Sequence, residues 1–415
     1  MPTWYQNLTG DHRRAFWTSL GGIALDAMDV QLYAFVLPIL LPLWGMSQLQ
    51  GGELVSIVLA ASALGGVGAG IASDRLGRVL VLRITVLCVG VGTCLCAFSQ
   101  NFEQLLVARA IQGLGFGGEW AAAAVLVAEI AAPESRARMV GAAQSAWAIG
   151  FGLAAASSGV ILTLLPIDFG WRCTFLVGII PALLIFHMRR RIKEPAAFRA
   201  MTQRASWRAI FRLPIAGRTF QGSLLATGAH SGYWAVATWW PTILHLDRHF
   251  TSSEISAHLG IAAIGSFFGY ATGGWLGDRF GRRTALIILS VGSVMTVLMC
   301  TRLPLSNSAL LIASFPLGFF VLGLFSAVGP VLAEMYPTEV RGTGLGFCYN
   351  FGRGMAGLLL FVVGYQLSAV NLSAAIGVFA IISYTIVFIA AILIEETRSV
   401  SFNDDLSKSS YKQAC

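Results

Sequence analysis

Charge is scarce in this chain. Only 12% of its 415 residues are Asp, Glu, Lys or Arg, whereas 56% are hydrophobic, and mean hydropathy is +0.72. A soluble domain carries roughly twice that charged fraction, and so large an apolar surplus does not fit inside one water-soluble core. A phosphate loop of the Walker type is missing, which removes ATP-driven transport. The seven cysteines (Cys88, Cys94, Cys96, Cys173, Cys300, Cys348, Cys415) lack metal-ligand spacing and fall mostly in apolar runs, where Cys behaves as a small hydrophobe. No disulfide framework, metal or other cofactor is therefore expected. No nucleophile–base constellation appears, so an enzyme is not expected. The alternation of an outer-membrane barrel is absent. So is a cleavable signal peptide, because Asp11-His12-Arg13-Arg14 leads into an apolar stretch far too long for an h-region.

What is present is a series of long apolar runs. A bilayer span needs roughly 20 mainly apolar residues. Twelve stretches qualify: 16–43, 52–72, 80–98, 103–128, 138–165 and 171–188, then 217–245, 256–277, 284–302, 306–333, 342–367 and 373–394. All read as helices. The expected architecture is an all-α membrane protein of two six-helix bundles, 1–188 and 217–394, with a basic linker 189–216 and a tail 395–415. Many of the 46 glycines fall in small-xxx-small spacing (Gly66 and Gly70, Gly113 and Gly117, Gly269 and Gly273), which lets helix backbones approach closely. Among the basic residues, Arg172, Arg248 and Arg302 lie at loops on one face, and Arg109 and Arg353 lie inside spans. Nearly all others lie on the face that holds both termini and the linker. By the positive-inside rule that face is cytoplasmic. The net charge of +8 is then a topology signal and no footprint of nucleic acid. The run Arg189-Arg190-Arg191-Ile192-Lys193-Glu194-Pro195 reads as a stop-transfer loop or as a contact for anionic lipid.

The chain repeats itself. Gly70-Ile71-Ala72-Ser73-Asp74-Arg75-Leu76-Gly77-Arg78 returns about 204 residues later as Gly274-Trp275-Leu276-Gly277-Asp278-Arg279-Phe280-Gly281-Arg282. Glu129, Glu134 and Arg136 return at nearly the same offset as Glu334, Glu339 and Arg341. Two strings at one offset indicate a duplicated half, and parallel repeats of buried helices point to a transporter. In each string an Asp ends an even-numbered span at the cytoplasmic face, beside Arg residues in a tight Gly turn. Such a carboxylate can cap a neighbouring helix and pair with Arg.

GxxxDRxGR occurring twice in a 6+6 chain resembles the major facilitator superfamily, and the resemblance covers essentially the whole chain. It implies a cytoplasmic gate of ion pairs built from Asp74, Arg75, Arg78, Glu129, Arg136, Asp278, Arg279, Arg282, Glu334 and Arg341. The other reading of these charges is a topological anchor.

Ionisable groups inside a bilayer are costly and tend to be functional. Asp26 and Asp29 share one face of the first span. Asp26 lies about 15 Å deep at 1.5 Å per residue. A desolvated carboxylate favours its protonated form, so the pair reads as a proton-coupling site, with a structural hydrogen bond as the alternative. In the fourth span, Arg109 either balances these acids or binds an anionic substrate. Glu119, about 15 Å further along, is either a second proton acceptor or a structural group. Arg353 lies near mid-depth in the eleventh span, after Tyr349 and Asn350. Its planar guanidinium suits a carboxylate, so it reads as a substrate anchor or as a partner of Asp26 or Asp29. His230 and Tyr233, in the seventh span, and Tyr349 and Asn350, in the eleventh, line a binding site or pack in the core.

Trp4-Tyr5, the LDxxD string, RxxxGxGxxGE from Arg109 to Glu119, and YPTEVRGTGLGFCYNFGR together are similar to the sialate:proton symporter branch. They are similar also to the aromatic acid:proton symporters. The linker is too short for the extra helices that sialic acid carriers can hold. The resemblance implies import of a small organic anion with protons by a monomeric, multi-pass inner-membrane carrier with both termini cytoplasmic. A metabolite or drug exporter on the same fold is the main alternative, and a transporter-like nutrient sensor is a distant one. If the repeated string is a gate, Asp74→Asn slows transport while leaving the amount of protein in the membrane unchanged. Wild-type transport rates in that variant would refute the gate.

Overall fold

In a computed structural model the described residues are 3–6, 8–46, 48–190, 192, 194, 198, 206–246, 248–250, 252–366 and 372–398. Among them there is no strand. The long helices are α1 (Gly10–Leu43), α2 (Gln48–Leu76), α3 (Arg78–Phe98), α4 (Phe102–Ile130), α5 (Arg136–Gln144), α6 (Ala146–Leu164) and α7 (Ile167–Arg189). They continue as α8 (Ile215–Leu246), α9 (Ser252–Phe280), α10 (Arg282–Arg302), α11 (Asn307–Gly323), α12 (Phe325–Glu334), α13 (Arg341–Gln366) and α14 (Leu372–Leu393). Hydroxyl caps start two of them: Thr9 accepts from the His12 amide at 3.2 Å, and Ser306 from the Ala309 amide at 3.3 Å.

Each of the twelve expected spans corresponds to one helix or to a consecutive pair. Ten stretches among the described residues are long and apolar enough to cross a membrane. The other two long helices, α8 and α13, carry His230 and Arg353 respectively. Two spans are broken, at Ser145 between α5 and α6 and at Leu324 between α11 and α12. Pro330 lies inside α12, has no N–H for the Ser326 carbonyl one turn earlier, and crowds that turn.

The polarity of the helices is that of a protein surrounded by lipid. On α3, Ile84, Leu87, Val91 and Leu95 are exposed along one stripe, while Thr85 and Thr93 are buried. A water-soluble helix would turn the other way.

The chain forms two compact units. Unit 1 comprises 1–130, 146–207 and 338–350, and unit 2 comprises 131–145, 208–337 and 351–415. Each unit thus takes in a short segment from the other sequence half: the start of α13 in unit 1, and α5 in unit 2. Within unit 1, α4 packs along α2 and α3, and α1 against α6 and α7. Within unit 2, α9 packs along α11 and α5, and α14 along α8 and α10. The repeated close pairs, α2 with α4 and α9 with α11, depend on glycine. A Cβ on Gly117 would run into the Ser62 carbonyl, and one on Gly318 into the Ala262 carbonyl. Backbone cannot yield as a side-chain tip can, so Gly318→Val is expected to destabilise unit 2 by about 1–3 kcal/mol. A lowered unfolding temperature in lipid or detergent is the measurement, and an unchanged one would refute the close packing.

Candidate functional site

The repeated strings build one ion network in each unit. In both, Gly closes the turn between two helices at a backbone angle that side chains resist, φ +107° at Gly77 and +101° at Gly281. The Arg that follows the Gly is buried. In unit 1, Arg78 donates Nε to Glu129 Oε2 at 3.2 Å, Nη2 to Glu129 Oε1 at 3.2 Å and to the Thr338 carbonyl at 3.1 Å, and Nη1 to the Ser73 carbonyl at 2.8 Å. Asp74 lies 3.2 Å from the same guanidinium. Its two oxygens accept the amides of Gly342 at 3.0 Å and Thr343 at 2.6 Å, capping α13. Arg341 Nη1 completes the set at 2.9 Å from Glu129 Oε1.

Unit 2 repeats this arrangement. Arg282 donates Nε to Glu334 Oε2 at 3.2 Å, Nη2 to Glu334 Oε1 at 3.0 Å and to the Pro133 carbonyl at 3.1 Å, and Nη1 to the Gly277 carbonyl at 2.7 Å. Asp278 meets the same guanidinium at 2.7 Å and caps α5 through the amides of Ala137 and Arg138, each at 3.0 Å. Arg136 Nη1 reaches Glu334 Oε1 at 2.8 Å. The acids therefore pair across the sequence halves: Glu129 with Arg341, and Glu334 with Arg136. Arg75 and Arg279, grouped with the gate on sequence, are exposed, and neither forms an ion pair among the described residues.

Several members were not singled out from the sequence. Glu194 accepts the amides of Arg78 and Val79, each at 2.9 Å, at the start of α3. Burial pushes its pKa up, and the N–H donors oppose that shift. Glu396 accepts the amides of Arg282 at 2.8 Å and Arg283 at 3.2 Å at the start of α10. Each acid follows the last helix of its half, a third repeat at nearly the same offset that a scan could have found. Thr397 donates to Glu334 Oε2 at 2.6 Å, and Arg138 pairs with Asp278 at 2.8 Å.

At depth in unit 1, Asp26, Asp29, Arg109 and Glu119 are all buried. They fall into separate groups. Arg109 donates Nη1 to Gln112 Oε1, Gln112 Nε2 donates to Thr93 Oγ1 at 2.8 Å, and Thr93 Oγ1 lies 3.1 Å from Asp29 Oδ2. Arg109 is also stacked 4.3 Å over the Tyr33 ring and is near enough to Asp29 for a charge–charge interaction. Gly178 on α7 leaves room for Asp29 Oδ1, where a Cβ would collide. Asp26 lies one turn earlier on α1.

Glu119 belongs elsewhere. Both its oxygens accept from Arg189, and Oε2 also accepts from Thr85 at 2.8 Å. Arg189, assigned to the basic linker on sequence, is instead the last residue of α7 and fully buried, donating also to the carbonyls of Leu82 at 2.8 Å and Thr18 at 3.1 Å. With both oxygens engaged, Glu119 has the surroundings of a structural ion pair. Tyr349 stacks on Trp120 with ring centroids 3.3 Å apart, and Asn350 Nδ2 donates to the Gly346 carbonyl at 3.0 Å.

In unit 2, Arg353 is buried and its charge reaches His230. His230 and Tyr233 both meet Phe325, with centroids 5.2 and 5.7 Å apart, in the first turn after the break that precedes α12. A buried guanidinium can hold a carboxylate through its planar donors.

Removing one partner of a buried ion pair leaves the other charge uncompensated. Arg189→Gln and Glu119→Gln are each expected to lower stability by about 3–5 kcal/mol, and the double variant by less than their sum. Thermal unfolding of the purified proteins measures this, and additive effects would refute the pair.

The Major Facilitator Superfamily family model matches residues 20–250 and 222–410. The "Probable 4-methylmuconolactone transporter" of Cupriavidus pinatubonensis is 36% identical over 408 residues, covering 97% of this chain and 95% of that protein. The sialic acid transporter NanX of Escherichia coli is 26% identical over 377 residues, covering 89% and 92%. Among solved structures, the proton:xylose symporter XylE shares the fold with a TM-score of 0.81 at 17% identity, covering 95% of this chain and 98% of that one. Twelve membrane-spanning segments, a duplicated half and the doubled GxxxDRxGR turn agree with these matches, and the chain belongs to the major facilitator superfamily of membrane transporters, which are not enzymes.

Proposed function

We propose that this transporter imports a small organic anion together with protons, by alternating access across the inner membrane with both termini in the cytoplasm. The observation that carries the reading is the surroundings of Arg353. Arg353 is buried and its charge acts on His230, whose ring, like that of Tyr233, meets Phe325; a permanent cation so placed suits a compact carboxylate. The relatives named for 4-methylmuconolactone and sialic acid support a small, oxygen-rich substrate.

Protons are the coupling ion that the acids of α1 favour. Asp26 and Asp29 are buried carboxylates, and a proton neutralises one without needing a coordination shell. A sodium ion at Asp29 would sit beside the Arg109 guanidinium and be repelled. Arg109 accordingly serves the acids rather than the substrate. The networks around Arg78 and Arg282 act as the cytoplasmic gate, opening as Glu129, Arg341, Glu334 and Arg136 separate.

Uptake of labelled organic acids into proteoliposomes tests this, with a panel of 4-methylmuconolactone, benzoate derivatives, sialic acid, lactate and sugar acids. An inward proton gradient is expected to drive accumulation of at least one of them. Arg353→Lys should weaken its uptake about tenfold, because an ammonium lacks the planar pair of donors. Uptake indifferent to the gradient would refute symport, and gradient-driven efflux would reverse its direction.

A further inference from the structure

Of the acids of α1, Asp29 is met by one hydroxyl. Thr93 is fully buried on α3. Its Oγ1 has two acceptors within reach, Asp29 Oδ2 at 3.1 Å and the Val89 carbonyl at 2.9 Å, and receives Gln112 Nε2 at 2.8 Å. The orientation of the Gln112 amide is set independently. Arg109 has only donors, so the Gln112 atom it meets must be the oxygen, and the amide nitrogen must face Thr93.

A hydroxyl has one proton to give and two lone pairs. When Asp29 is ionised, Thr93 donates its proton to Oδ2 and accepts from Gln112. When Asp29 is protonated, the new O–H on Oδ2 donates to Thr93 Oγ1. The Thr93 proton then turns to the Val89 carbonyl, and the Gln112 bond is kept. Neither Thr93 nor Oδ2 is left unsatisfied in either state. That matters in a place where water cannot repair a lost hydrogen bond.

We propose that Asp29 is the carboxylate that carries the proton and that Thr93 is its positioning residue, a two-state hydroxyl held in register by Gln112 and Arg109. This deepens the symport reading and rests on it. Loading forms one O–H bond on Asp29 Oδ2 with a proton delivered from water, and unloading breaks the same bond. The groups that bear on Asp29 are Thr93 and Cys96 from α3 and Arg109 from α4; Asp26 and Tyr33 lie one turn to either side of it on α1 itself. α7 presents Gly178, and α6 has no titratable residue.

Infrared difference spectroscopy of the purified protein in lipid tests the proposal without a substrate, through the carbonyl stretch of protonated carboxyl groups during a pH titration. The difference between wild type and Asp29→Asn isolates the Asp29 band. Thr93→Val keeps the shape of the side chain but removes the hydroxyl. The ionised acid loses a charge-assisted bond and the protonated acid only a neutral one. The midpoint should therefore move to higher pH by about one unit, about tenfold tighter proton binding, with the carbonyl frequency also shifted. Thr93→Ser should restore both. An unchanged midpoint and frequency in Thr93→Val would overturn the role of the hydroxyl and leave symport standing. A titrating band that survives Asp29→Asn unaltered would overturn Asp29 as the carrier. A shifted band in a protein whose uptake ignores the proton gradient would retain the Asp29–Thr93 pair and remove symport.

Discussion

A guanidinium taken out of water needs an acceptor for each of its N–H groups, and a bilayer supplies none. Arg78 and Arg282 meet that demand in the same way. Each takes the carbonyl at the end of the preceding helix, the carboxylate four residues before it, a Glu from another helix and a carbonyl from the opposite sequence half. One buried side chain thereby ties together several helix ends. The Gly turn, the aspartate caps on α5 and α13, and the acids Glu194 and Glu396 are all arranged around it. A structure this dependent on complete pairing can be rigid when paired and still release cooperatively, because loss of one acid exposes the rest of the set.

The same constraint sorts the deeper charges of unit 1. Both oxygens of Glu119 accept from Arg189, which also donates to the carbonyls of Leu82 and Thr18. Asp29 is matched by a hydroxyl whose proton can turn either way, and its compensating cation, Arg109, acts through an amide. The first arrangement suits a fixed ion pair and the second a group whose charge changes. In unit 2 a deep permanent charge is Arg353, buried on α13 and acting on His230 of α8.

The spans, the duplication and the burial of the candidate charges were legible because each depends on order along a single helix. Apolar run length marked the twelve spans, and the repeat offset paired Asp74 with Asp278 and Arg78 with Arg282. The exact members of each network were less legible. Arg75 and Arg279 share the motif with their neighbours yet point away from the network, since one step along a helix turns a side chain about 100°. Arg189 looked like part of a basic loop because it adjoins Arg190 and Arg191, and only the length of α7 brings it inside. Thr93 and Gln112 carry no charge and occur in no repeated string, so nothing in their own sequence surroundings set them apart.

By itself the sequence determined the membrane-embedded helical class, the duplicated halves, the turn chemistry at Gly77 and Gly281, and the burial of acids in α1 and of Arg353 in α13. Composition, periodicity and chain order suffice for these, because they concern one helix or one turn at a time. Only the tertiary structure decided the partners. Glu129 takes Arg341 and Glu334 takes Arg136, Glu119 takes Arg189, and Asp29 takes Thr93. Such choices depend on which helix faces approach and how closely. That is set by backbone contact at residues such as Gly117 and Gly318, which carry no charge themselves.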